Sequence, residues 1–355
     1  MPNTKTVYVV SNEQSTLHRS DIPVGTNVLM MSCIYNKKLC ESSLPLYLTV
    51  FYLGTGYTHE ISADIFPESL EVLSLGYIYN HPLARSCCSL PKYLRELELS
   101  DTYNHSLHFD MFPESLVKLK FGSDFDQTLH PDSLPRNLTE LYFGRCFNHK
   151  IGCYVLPDNL EILHLGFKYN HIMTESALPP KLKILYMSSR YNHVNKSSDF
   201  PLSITDLHLG EDFSSTINMN FLPENLRSLE LSSGDYDIYE DSFPPTLEYL
   251  DCRLANLHNV HINCFPPNLT LVKLHTFEQL VQFDKLFQNI HFDIIYSGCL
   301  FRQYDLRISI IFKSGWAYSD CFEAIDSVKI DGLIYDRLIN KKTFSPVSRQ
   351  KSAKK

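Results

Sequence analysis

Six histidines stand third in a recurring triplet: His59 in YTH, His81, His105, His171 and His193 in YNH, and His149 in FNH. An imidazole can ligate a metal or change charge near neutral pH, so a regular row of them invites either chemistry. Tetrahedral zinc, however, needs ligands that converge from several directions, and equivalent places of a repeat supply one straight line. Cys33 and Cys146 precede the aromatic and Cys40 and Cys153 follow it, with no zinc spacing among them. The expectation is therefore no metal and no cofactor, with the histidines at a polar turn on the solvent edge. No GxSxG, HExxH, phosphate-binding loop or dinucleotide-binding glycine pattern occurs, so no catalytic residue is assigned and no enzyme is expected.

What must position these triplets is a tandem repeat. Prolines recur at 23, 45, 67, 91, 113, 135, 157, 179, 201, 223, 244 and 266, and nine of the eleven intervals are 22 residues. With Pro as first place, the fourth, seventh and ninth places are apolar almost throughout, as in Leu160, Leu163 and Leu165. Gly or Ser follows at the tenth, an aromatic at the thirteenth, and Asn or a small polar residue at the fourteenth. Alternation around the seventh and ninth places predicts a short strand with one buried face. A 22-residue unit cannot also hold a full crossover helix, so the return path must consist of turns, extended pieces or a single 3-10 turn.

One unit would bury about six apolar side chains, worth roughly 1.5–3 kcal/mol each. Ordering it costs about 1–2 kcal/mol per residue in backbone entropy, so a unit cannot fold alone. Stacked units share a continuous core. The expectation is a leucine-rich-repeat-like solenoid over 22–277, with about twelve 22-residue units, one short parallel strand each and few or no α-helices. Twelve paired strands at about 4.8 Å give an array on the order of 55 Å long. The aromatic should form a buried spine, and Asn80, Asn104, Asn148, Asn170 and Asn192 a structural turn ladder, since Asn bonds nearby backbone and tolerates left-handed φ.

The pattern LPxxLxxLxLGxxFNH, as in LPRNLTELYFGRCFNH at Leu134–His149, resembles the FNIP-repeat family. Those repeats are short relatives of leucine-rich repeats, abundant in social amoebae and giant DNA viruses. The first unit departs from the pattern with Thr26 in place of Leu, and the last three lack the aromatic-Asn pair, as terminal caps do. Some members of the family carry an F-box and present targets to ubiquitin ligases. Here about 21 residues precede the first repeat, so an adaptor role would have to recruit through the C-terminal segment.

The sixth and eighth places should face outward, and they vary where the inward places do not. In mid-array the eighth place reads Tyr142, His164, Tyr186 and His208, flanked by Ile162 and Ile184 at the sixth. Glu140, Asp206 and Glu230 border them. Exposed aromatics and aliphatics on a rigid sheet resemble a binding hot spot. The expected function is a non-enzymatic scaffold that binds a protein partner on this strand face. The alternatives are a structural protein, for example virion-associated, and the adaptor described above.

Net charge is −8, and the last fifteen residues carry six Lys/Arg and no acid, leaving −14 on residues 1–340. Such a chain is not expected to take nucleic acid as its main ligand. No apolar run is long enough to span a membrane, and the N-terminus has no signal-peptide core. Ten Cys without a CxxC pair then read as free thiols of a cytoplasmic protein (in host cytoplasm if viral), with nuclear import a further reading of the basic tail. A monomer is the favoured state. Residues 1–21 are expected to cap the array. Residues 278–340, with strand-like runs NIHFDIIYSG, YDLRISIIFKSG and SVKIDGLIYD, should form a small β or α+β cap, and 341–355 a disordered basic tail.

Overall fold

The computed structural model describes residues 6–10, 16–62, 64–83, 90–174, 176–193, 195–213, 217, 221–240, 242–252, 255–256, 264–275 and 279, and the backbone of 257–258, 293–296, 299–304 and 307–312. The strands are β1 (Val7–Val10), β2 (Val28–Met31), β3 (Val50–Tyr52), β4 (Val72–Ser74), β5 (Glu96–Glu98) and β6 (Lys118–Lys120). They continue as β7 (Glu140–Tyr142), β8 (Ile162–His164), β9 (Ile184–Tyr186), β10 (Asp206–His208), β11 (Ser228–Glu230) and β12 (Asp235–Asp237). Last come β13 (Tyr249–Asp251), β14 (Asn256–His258), β15 (Leu271–Leu274), β16 (Asp293–Tyr296), β17 (Cys299–Tyr304) and β18 (Arg307–Phe312).

Strands β1 to β11, β13, β15 and β16 pair side by side in parallel, each with the next coil, and β17 and β18 extend the same sheet antiparallel. Twelve of these strands, β2–β11, β13 and β15, each follow one of the twelve prolines, giving about eleven turns of a leucine-rich-repeat-like solenoid. From residue 16 to 275 the described helical structure consists of two 3-10 turns, Arg19–Asp21 and Ser197–Asp199. Residues 1–21 supply β1, one further parallel strand of the same sheet. In the C-terminal segment, NIHFDIIYSG contains β16 and YDLRISIIFKSG contains β18. The run SVKIDGLIYD and the tail 341–355 lie outside the described residues.

Tight turns make the coil. The Pro carbonyl accepts the N–H of the fourth-place residue, as in Leu70 to Pro67 at 3.0 Å and Leu160 to Pro157 at 3.0 Å. That bond closes a four-residue turn. A second turn runs from the tenth to the thirteenth place, as in Tyr191 N–H to Ser188 O at 3.0 Å. A third precedes Pro, as in Ala177 N–H to Thr174 O at 3.0 Å. In four coils a residue inside this last corner takes left-handed φ: Asp110, Asp132, Tyr154 and Ser176, at 62 to 65°.

The seventh-place residues, from Leu29 through Leu163 to Val272, stack in register beneath the sheet at no more than 1% exposure. The thirteenth-place aromatics form the spine, buried to 0%. Phe147 stacks on Phe125 at 6.2 Å and on Tyr169 at 6.0 Å between ring centres. The hydroxyls of Tyr35, Tyr57 and Tyr191 accept backbone N–H bonds from Leu17, Leu39 and Met173. Burial pushes the Tyr57, Tyr169 and Tyr191 phenols up to about 12. The tenth unit does not lose its aromatic as the sequence pattern implies. Tyr236 arrives one residue late, stacks 6.3 Å from Phe213 and continues the spine, while β12 and β14 make a small parallel pair of their own.

One ladder escapes a reading based on apolar periodicity. Third-place side chains donate to the carbonyls of the preceding coil: Ser69 to Leu46 at 2.8 Å, Asn137 to Glu114 at 2.9 Å, Asn159 to Arg136 at 2.9 Å and Asn225 to Leu202 at 2.9 Å. The recurrence of Ser, Thr or Asn at this place is the signal that finds it. Because the inward rows carry the stability, Leu163→Ala should cost about 2–5 kcal/mol. Lys150→Ala on the surface should stay within about 0.5 kcal/mol. Urea unfolding of the two variants checks this, and equal losses would remove the seventh-place row from the core.

Candidate functional site on the strand face

The strand spacing brings the eighth-place rings together. Tyr142 and His164 stack at 4.3 Å between centres, His164 and Tyr186 at 3.6 Å, and Tyr186 and His208 at 3.9 Å. Their planes lie within 24° of one another. Lys118 and Lys120 place their ammonium groups 5.4 and 5.6 Å from the Tyr142 ring, closing one end by cation–π attraction. Glu230 closes the other with a carboxylate oxygen 2.9 Å from His208 Nδ1. Glu140 accepts the Tyr142 hydroxyl at 2.9 Å and pairs with Lys118 at 2.9 Å. Ile162 and Ile184 are register partners, between Glu140 on one side and Asp206 on the other.

The expectation that these side chains stand exposed needs correction. All nine (Tyr142, His164, Tyr186, His208, Ile162, Ile184, Glu140, Asp206 and Glu230) are half-buried. Strands about 4.8 Å apart leave no gap between rings of adjacent coils, so the faces cover one another and the edges meet solvent. Among the described residues, the exposed apolar side chains of the strand face lie at its N-terminal end instead: Val7 at 55%, Val9 at 60%, Met30 at 40% and Tyr52 at 37%. The sequence carries the signal, since no outward place of β1–β4 is charged. Beside them is a hollow of about 160 Å³ lined by Tyr52, Ser74, Glu96, Glu98, Lys118 and Lys120.

The ladder sets its own electrostatics. Burial, with smaller pushes from His208, Lys120 and Lys118 and against a counter-pull from Glu140, lowers the His164 imidazole to about 4. Burial, aided by the adjacent Glu140 carboxylate, raises the Tyr142 phenol to about 12. Burial would raise Glu140, but hydrogen bonds from Lys118 and Tyr142 outweigh it and leave the carboxyl below its usual range.

The triplet histidines are half-buried polar turn residues that also bond from coil to coil. Each brings Nε2 to a carbonyl of the preceding coil: His81 to Thr58 at 2.7 Å, His105 to Asn80 at 3.1 Å, His149 to Asp126 at 3.1 Å, His171 to Asn148 at 2.9 Å and His193 to Asn170 at 3.0 Å, with His59 to Asn36 at 3.2 Å. A carbonyl only accepts, so Nε2 carries the proton in every case. The fourteenth-place side chains accept the N–H of the next coil's equivalent residue. Asn104 Oδ1 takes Asp126 N–H, Asp126 takes Asn148, and Asn148 takes Asn170, each at 3.0 Å, while Asn170 takes Asn192 at 3.4 Å. Among the described residues no group of three or more His, Cys, Asp or Glu is placed to hold a metal ion. Nor is any helix among them long and apolar enough to cross a membrane.

Two outcomes follow. Asn148→Ala should cost about 1 kcal/mol, the worth of one hydrogen bond, while Asn148→Asp should keep most of it because Asp126 already serves in the row. Urea midpoints of the pair decide this, and equal losses would show that the acceptor is immaterial. For His164, a folded pKa near 4 against an ordinary 6.5 means that the unfolded chain takes up the proton first. Stability from this group is complete above pH 6.5 and lost as pH falls towards 4. His164→Phe keeps a ring in the stack and removes the titration, so its urea midpoint should fall less than wild type across that window. An equal fall would show that His164 titrates freely.

The FNIP Repeat family matches residues 35–78, 79–124, 125–168, 147–190 and 191–234. No curated protein matches the chain by sequence. The crystal structure of CroV588, described as a novel circular LRR protein, is similar with a TM-score of 0.64 and 30% identity, over 71% of this chain and 37% of that one. This chain thus spans little more than a third of that protein's length. A chain in the octameric complex of Latrophilin 3, Unc5D and FLRT2, the last contributing an LRR, is 18% identical over 78% of this chain and 85% of that one. Its TM-score of 0.45 is too low to support an argument. The matched repeats run without a break from 35 to 234, more than half the sequence, and the chain belongs to the FNIP Repeat family.

Proposed function

We propose that the chain is a non-enzymatic scaffold that binds a protein partner on the strand face of its solenoid. The observation that carries this reading is the division of labour between rows. Inward places repeat the same few apolar residues, while outward places pass from uncharged at β2–β4, through mixed charge at β5 and β6, to stacked rings at β7–β10 and acids at β11 and β13. A stack whose ring positions are fixed before binding loses little side-chain entropy when a partner docks on its edges. Tyr142, His164, Tyr186 and His208, with Ile162, Ile184, Glu140, Asp206 and Glu230, are the proposed contact set. Membership of a leucine-rich-repeat-like class supports the same reading.

The experiment is affinity capture with wild type against the Tyr142→Ala/Tyr186→Ala double variant, both confirmed folded by circular dichroism. A protein captured by wild type and lost from the double variant is the expected result. Capture that survives the double variant would move the contact away from the rings. Absence of any captured protein would favour the structural-protein reading.

A further inference from the structure

Three residues beyond Tyr142 and His164 and four beyond Tyr186, the chain crosses the rim at the C-terminal ends of β7, β8 and β9. There Arg145 and Arg190 both rest on one ring, with guanidinium carbons 4.9 and 5.4 Å from the centre of Phe167. Lys168 reaches back to the coil of Arg145, its ammonium 3.6 Å from Cys146 Sγ. All three cations are exposed. None has an acidic partner among the described residues. Their backbone is tied down, since Lys168 N–H donates to Arg145 O and Arg190 N–H to Phe167 O, each at 3.1 Å.

A guanidinium held over a ring by cation–π attraction keeps N–H donors free to grip an oxyanion bidentately. We propose that this rim binds a phosphoryl group carried on a segment of the protein partner. The inference rests on the strand-face reading, which places a partner on the adjoining rings. Three cations within a short rim suit one dianion with three acceptor oxygens better than a single carboxylate. A nucleic-acid backbone fits poorly. The cationic stretch covers three coils, on the order of 10 Å, and meets Asp101 and Asp124 on one side and Glu211 and Asp212 on the other. The net charge of −8 opposes a long polyanion as well.

The test uses the full chain and fluorescein-labelled degenerate peptide libraries centred on phosphoserine, serine or glutamate, read by fluorescence anisotropy. Wild type should bind the phosphoserine library about tenfold more tightly than either of the others, a difference of about 1.4 kcal/mol. Arg145→Gln/Arg190→Gln should abolish that preference, and Arg95→Gln, which removes an exposed arginine elsewhere, should leave it intact. Both variants alter solvent-facing groups, and circular dichroism confirms their fold. Equal binding of the three libraries, binding of none, or a preference that survives Arg145→Gln/Arg190→Gln would overturn the proposal. If the captured partner is lost with Tyr142→Ala/Tyr186→Ala but retained without phosphoserine preference in wild type, the rim proposal fails and the scaffold stands. If the preference holds while nothing is captured, the scaffold reading fails instead.

Discussion

Every row of this molecule depends on one geometric constraint: equivalent residues of successive coils sit one strand spacing apart, about 4.8 Å. At that distance a side chain has its own equivalent as nearest neighbour. An apolar residue repeated at one place becomes a core, an aromatic becomes a spine, and an amide becomes a hydrogen-bonded ladder. The Pro-initiated turn maintains the register by fixing where the strand begins, so that Leu141, Leu163 and Leu185 fall in line. Place ten shows how tight the fit is. A Cβ on Gly144 would lie 1.9 Å from the carbonyl oxygen of Gly122. Where Ser188 stands in place of Gly, its hydroxyl donates to Phe167 O at 2.5 Å.

The same constraint settles what the strand face can be. Rings at neighbouring outward places cannot stand apart like the fingers of an open patch. Tyr142, His164, Tyr186 and His208 instead stack into a single wall. Two costs accompany the wall: an imidazole that resists protonation and a phenol that resists ionisation. On β13, Asp251 is almost fully buried and satisfied by Lys273 at 2.8 Å and His275 at 2.7 Å. Charges on this face are therefore bound into its structure.

Period and polarity made most of the fold legible in the sequence, because stacking copies each choice many times. Leu163 can be assigned inward from its spacing alone, and Tyr169 assigned to a spine from recurrence alone. What spacing does not reveal is which groups touch across coils. His171 reads as an edge residue, but only the structure shows its Nε2 2.9 Å from Asn148 O. Asn159 reads as a polar surface residue until its amide is seen bonded to Arg136 O. Tyr236 escapes the thirteenth-place rule because one inserted residue shifts its number while its ring still fills the spine. For the candidate site, sequence located the outward places but misjudged their exposure, since solvent access depends on what lies one coil away.

The histidine, asparagine and third-place bonds share a sense. In each, the later coil supplies the hydrogen and the earlier coil supplies the oxygen, as with His193 to Asn170, Asn170 to Asn148 and Asn225 to Leu202. Forward bonds belong to other places: ninth-place amides such as Leu165 donate to the next strand, and Leu39 N–H donates to the Tyr57 hydroxyl of the next coil. These three rows are therefore vectorial, and the vector runs with translation. A coil leaving the ribosome finds its acceptors already laid out on the coil made before it, and for these bonds it waits on nothing still to be synthesised.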